Sequence, residues 1–262
     1  MKKPVISFFI LLTAFILPGL VYAEPTAAIL SATMLAELMQ QANYSAGFEE
    51  RLSVTTVNSY GHRTLPIKLA VIGQFDNKNQ RLLIRGISPA NIKDHFIAAE
   101  KSSDGSIRAI EYHGISKNYK KVNLFAKLFD TGLVIWDMFT PWWQWPKQRL
   151  LGIERIEERN CTIVDSLYES TISSIREVVS CVDKAAGLSL KTKLFDERHK
   201  LVRTITVIRM VGKESGTMAA KEILITDTDK LTTEIEIYSG DEHYSITPDT
   251  FPSPEAYLIT GK

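Results

Sequence analysis

The sequence carries none of the usual catalytic signatures. It has no Gly-x-Ser-x-Gly, so no strained turn offers a serine nucleophile. It has no His-Glu-x-x-His and no Gly-rich phosphate loop. His62, His95, His113, His199 and His243 stand singly and read as surface or strand-polar histidines. Asp227-Thr228-Asp229-Lys230 brings two carboxylates together without the Gly and closing Glu of a calcium loop, and reads as a solvated hairpin turn. The expectation is a protein with no catalytic residue, no metal and no cofactor. A dominant charge is also lacking: 31 Lys and Arg face 30 Asp and Glu, which gives nucleic acid or an acidic surface nothing to hold. The two cysteines form no C-x-x-C and no cysteine–histidine spacing, which argues against a redox or metal pair. No apolar run reaches the roughly 20 residues that a spanning helix needs.

What is present begins at the first residues. Lys2 and Lys3 precede an apolar segment, Val5 to Leu17, that Pro18 and Gly19 break. Val21-Tyr22-Ala23 then supplies acceptable −3 and −1 positions, so residues 1–23 read as a signal peptide cleaved after Ala23. No cysteine follows the cut, which excludes lipid attachment there. Cleavage leaves 239 of the 262 residues, read as one β domain over 24–262, and takes the formal charge from +1 to about −1. An exported, soluble chain permits a disulfide between Cys161 and Cys181 if they sit opposite each other on an antiparallel pair. Closing that loop would stabilise by about 3 kcal/mol.

The most unusual stretch is Leu124 to Gly152. It holds all four tryptophans, Trp136, Trp142, Trp143 and Trp145, three of them between Pro141 and Pro146. The apolar run before them, from Leu133 to Phe139, is broken only by Asp137. The prolines argue against one long helix, so a short helix over Leu133–Phe139 followed by a rigid aromatic loop is expected. Three roles stay open for this insert: core filling, a lid or lining over a cavity, and an interfacial patch dipping into a membrane. The residues that would line or cover a cavity are Phe129, Leu133, Trp136, Phe139, Trp142, Trp143 and Trp145.

Around the insert the texture is that of strands. An amphipathic helix over Ala27–Gln41 comes first, with Ile29, Leu30, Met34, Leu35 and Leu38 at helical spacing. Runs such as ERLSVTTVNSY, TLPIKLAVIGQF and QRLLIRGI follow, punctuated by turns such as Asp76-Asn77-Lys78-Asn79. Pro66 places the second run at a sheet edge or at the start of its strand. After the insert, runs from RLLGIERIEERN to LTTEIEIYS continue the pattern, and Ile246 to Leu258 reads as an irregular strap. LVRTITVIRMV is apolar on both faces and so should be covered on both sides. About ten or eleven strands are expected in one long antiparallel sheet. A sheet that long curls, giving a mainly β (α+β) half-barrel covered by the N-terminal helix and the insert.

This layout resembles the LolA-type outer-membrane lipoprotein-sorting proteins, a fold that LolB and RseB share. Members of the broader sorting group carry a segment like G-T-D-x-x-x-x-D-L, and Phe129 to Met138 stands in its place, with Asp137-Met138 at the Asp-Leu end. Leu151 to Val164 resembles the hairpin after the insert, Cys181-Val182-Asp183 and Leu194-Phe195-Asp196-Glu197 resemble later strands, and Thr232 to Ile237 the last one. The resemblance implies a periplasmic carrier that binds lipid or lipoprotein acyl chains in a hydrophobic cavity and passes them between membranes. It implies a lipid or acylated lipoprotein as partner, with an inner-membrane transporter or signalling protein beside it. The alternative it implies is an RseB-like sensor that holds an inner-membrane protein.

Overall fold

A computed structural model describes residues 31–76, 79–114, 116, 118–168, 174–213 and 218–258. These described residues form one compact unit. The signal-peptide reading of residues 1–23 and the start of the expected first helix lie outside the described residues.

Helix α1 (Ala32–Ala42) is capped by Ser31, whose hydroxyl accepts from the Met34 N–H at 3.1 Å. It buries Leu35, Ala36 and Met39 and exposes Met34 and Leu38. Five long strands follow: β1 (Ser45–Val57), β2 (Ile67–Phe75), β3 (Gln80–Ser88), β4 (His95–Lys101) and β5 (Ile107–His113). β2 starts directly after Pro66, as a proline without an N–H requires. β6 is only Lys120–Lys121. After the insert come β7 (Lys147–Ile156), β8 (Arg159–Leu167), β9 (Ile175–Asp183), β10 (Leu188–Asp196), β11 (Leu201–Gly212), β12 (Met218–Asp227) and β13 (Thr232–Asp241).

Among the described residues the sheet therefore has 13 strands rather than ten or eleven, ordered β6-β5-β4-β3-β2-β1-β13-β12-β11-β10-β9-β8-β7, and every pairing is antiparallel. It does not close. β6 and β7 are its two edges, yet they follow each other in the chain, so the segment joining them must pass from one edge to the other. It does so across the inner face, packing against both halves of the sheet. That path is the physical reason the insert is so apolar.

Side-chain alternation divides the sheet into two faces. The inner face of β1–β4 contributes Leu52, Val54, Leu69, Val71, Leu82, Ile84 and Ile97 to one core; that of β8–β10 contributes Val164, Val178, Val182 and Leu194 to another. On the outer face, Phe251, Ala256 and Tyr257 of the C-terminal strap cover Leu83, Ala98 and Ile110. Further along that face, Cys161 and Cys181 form a disulfide on neighbouring strands, buried with Leu190. Their Cα atoms are 5.2 Å apart, although the direct ladder partner of Cys181 is Ile163 rather than Cys161.

Candidate functional site: the insert and the cleft beside it

The helix in the insert is shorter than expected. Only Ile135–Met138 (α2) is α-helical; tight 3-10 turns occupy Leu128–Asp130 and Pro141–Gln144. Thr140 takes a left-handed conformation (φ 41°) immediately before Pro141, a position where continuing the helix would bring a clash with the proline ring. Gly132 lies so close to β13 that a Cβ there would stand 2.7 Å from Thr233 Oγ1, the atom that accepts the Gly132 N–H. Glycine at this point of the motif-like segment is thus a matter of close approach.

From this short helix the side chains go two ways. Trp136, Trp142, Trp143 and Trp145 enter the β8–β10 core with α1, each at most 8% exposed. Trp136 lies 5.6 Å from Trp142 and 6.2 Å from Trp145, and Trp145 stacks on Tyr168 at 5.0 Å. The Gln148 amide donates to the carbonyls of Trp142 and Trp145, both at 2.9 Å, and accepts from Ser166 at 2.7 Å. Leu133 and Phe139 turn into the β1–β4 core, with Phe129 half-buried at its margin. Of the seven predicted site residues, four therefore fill one core and three the other. With the indoles inside, a membrane-contact patch has no exposed tryptophan to rest on.

Where the insert crosses mid-sheet, charges hold it. The Asp137 carboxylate pairs with Arg203 of β11, whose Nε also donates to Asp227 Oδ1 at 2.7 Å. Lys127 adds contacts to Asp227 Oδ2 at 3.0 Å and Asp229 Oδ2 at 2.8 Å. Asp137, Arg203 and Asp227 have side chains only 8–10% exposed. Burial pushes the Asp137 carboxyl up to about 6, overriding the opposite pull of Arg203. The hairpin turn expected at Asp227–Lys230 is there, but Asp227 is buried in this network rather than solvated. Asp137 and Arg203 went unrecognised as a pair. Each is an isolated charge in an otherwise apolar run, which is the signal that could have joined them.

Beside the insert, the open end of the sheet forms a cleft of about 1640 Å³ between β1–β2, β11–β13 and the loop over residues 242–248. Tyr44, Phe48, Phe75, Ile237 and Ile246 line it, with Glu50 and Lys213 also on its wall. Burial raises the Glu50 carboxyl, partly offset by Lys213. From the cleft an aromatic path leads inward: Phe48 meets Phe75 edge-on at 5.7 Å, and Phe75 stacks on Phe139 of the insert at 5.9 Å. Among the described residues, no group of three or more His, Cys, Asp or Glu could hold a metal ion. His95 and His113 do come together, stacked at 4.2 Å across β4 and β5.

This open sheet, crossed on its inner face by one apolar segment, matches solved structures over 86% of the chain. A putative outer-membrane lipoprotein-sorting protein domain from Vibrio parahaemolyticus superposes with TM-score 0.75 over 98% of its own length, at 11% identity. A LolA superfamily protein from Nitrosomonas europaea gives 0.67 over 98% of its length, also at 11% identity. The chain has the LolA-type fold. A DUF1329 family protein from Desulfovibrio piger shares the fold at TM-score 0.76 and 15% identity, over 97% of its length. No family model matches the chain, and no curated protein matches it in sequence. At such identities the LolA-type fold is a shared architecture.

Proposed function

We propose that this protein is an exported binding protein for acyl chains of lipids or lipoproteins, a carrier in outer-membrane sorting rather than an enzyme. In this reading residues 1–23 direct export to the periplasm and the mature chain from residue 24 is a single LolA-type domain. The observation that carries it is the aromatic path Phe48–Phe75–Phe139, which joins an open cleft to a segment crossing the inner face. Phe129, Leu133 and Phe139 would be the lining that a tail displaces. Trp136, Trp142, Trp143 and Trp145 would anchor the lid.

The driving force is ordinary. Burying a dodecyl tail at about 0.8 kcal/mol per methylene gives a gross gain of about 10 kcal/mol, reduced by the cost of immobilising it. Release needs an empty state that competes, and Phe139 packed on Phe75 supplies one. The test is organic extraction and mass spectrometry of the exported protein, with displacement of N-phenyl-1-naphthylamine by acylated ligands. Co-purifying acyl species and displacement are expected; a protein that carries no lipid and whose probe no amphiphile displaces would overturn the reading. A stable inner-membrane protein partner without bound lipid would favour a sensor instead.

A further inference from the structure

The inner face of β2–β4 carries a charge that no neighbour answers. Phe75, Gln80 and Lys101 stand directly opposite one another across the β2–β3 and β3–β4 ladders, so all three project from the same face. That face is the inner one, since Phe75, Leu82, Ile97 and Ala99 on the same alternation belong to the inner core. Lys101 is 4% exposed and Gln80 6%. Among the described residues no hydrogen bond or ion pair reaches the Lys101 ammonium, whose Nζ is not itself shut off from solvent, and Gln80 Oε1 is buried without a partner. Burial pushes the Lys101 ammonium down to about 8. A buried lysine is rarely left unpaired, because removing its hydration without a counter-charge is costly. Phe75 also lines the cleft, and Lys101 lies two strand spacings away, about 10 Å.

We infer that Lys101, with the Gln80 amide beside it, receives the anionic headgroup of a single-chain amphiphile whose tail runs along Phe75 towards the insert. The inference rests on the acyl-binding reading and adds the ligand's charge class to it. Three donors on the ammonium and a rotatable carboxamide suit a carboxylate or a phosphate, while a neutral headgroup leaves the charge unanswered.

The experiment displaces N-phenyl-1-naphthylamine from the protein with laurate, lauroyl lysophosphatidylglycerol and the neutral monolaurin. At least one anionic ligand should displace the probe at about tenfold lower concentration than monolaurin. Which of the two does so tells a carboxylate site from a phosphate site, and either supports the inference. Lys101→Met should bring the anionic ligands to within about twofold of monolaurin, leave monolaurin itself unchanged, and unfold in urea no earlier than the wild type. Lys101→Arg should keep the preference, and Gln80→Leu should reduce it. Equal displacement by all three ligands in the wild type, or a preference that survives Lys101→Met, would overturn the inference while leaving acyl binding standing. No displacement by any of them would instead bring down the acyl-binding reading.

Discussion

The insert meets the two halves of the sheet on different terms. Against β8–β10 and α1 it presents four indoles, closed in by neutral hydrogen bonds from Gln148 and backed on the outer face by the Cys161–Cys181 bridge. Against β1–β4 it presents Phe139 and Leu133, both buried, with Phe139 stacked on Phe75 of the cleft wall, and in mid-sheet a compact ion network. Indole packing carries no titrating group and so is indifferent to pH. Ion pairs, and a phenylalanine stack whose outer ring, Phe75, borders the cleft, are the contacts that a hydrocarbon tail would replace under the proposed function. In the acyl-binding reading proposed above, one end of the segment stays and the other yields.

The largest test of that contrast is truncation at each end. Trp142→Ala should cost about 3–5 kcal/mol in urea unfolding, because an almost fully buried indole leaves a cavity that its neighbours cannot fill. Phe139→Ala should cost less, since a smaller ring is removed and its stacking partner Phe75 borders the cleft, through which water or a ligand can reach the vacated space, and it should alter probe binding where Trp142→Ala does not. Equal costs at the two positions would erase the distinction. Next in size is the bridge: replacing both cysteines by serine should lower stability by about 3 kcal/mol and leave ligand displacement unchanged, because the disulfide lies on the outer face of the anchored half.

A third test, comparable in size to the bridge, sharpens the ionic side. Asp137 holds its proton more tightly folded (about 6) than at its ordinary value of 3.8, so its contribution to stability is complete below pH 3.8 and is lost as pH rises through 6. Asp137→Asn should remove that slope. The wild type's advantage over the variant should shrink between pH 4 and 7, at about 1.4 kcal/mol per unit across the shifted interval. Parallel pH profiles for the two proteins would show that the carboxyl does not titrate in this range.

Much of this architecture was legible from residue order. Alternating runs between turn residues mark most strands, and where a turn has a physical signal it is in place: at Lys184–Gly187 the Asp183 carboxylate accepts from the Ala185 and Ala186 N–H groups, and Gly187 takes a positive φ. The turn between β7 and β8 had no such signal. It falls at Glu157–Glu158, with Glu157 at φ 52°, two residues before the break that composition suggests. The helix in the insert is shortened by a tertiary close approach at Gly132 and by the left-handed backbone of Thr140 before Pro141, which override a local apolar periodicity. Gln80, Lys101 and Gln148 gave no warning at all. A polar residue within or beside a strand reads as solvent-facing until its neighbours are known.

Residue order alone thus determined an antiparallel β protein with a leading helix, two cysteines free to bridge and one apolar segment in mid-chain, since each follows from local periodicity and composition. Which face that segment crosses, how its side chains divide between two cores, and the pairing of Asp137 with Arg203 are decided only when the sheet curls. They join positions far apart in the chain, 66 residues for Asp137 and Arg203 and 101 for Gly132 and Thr233, and no local pattern encodes a distance between strands.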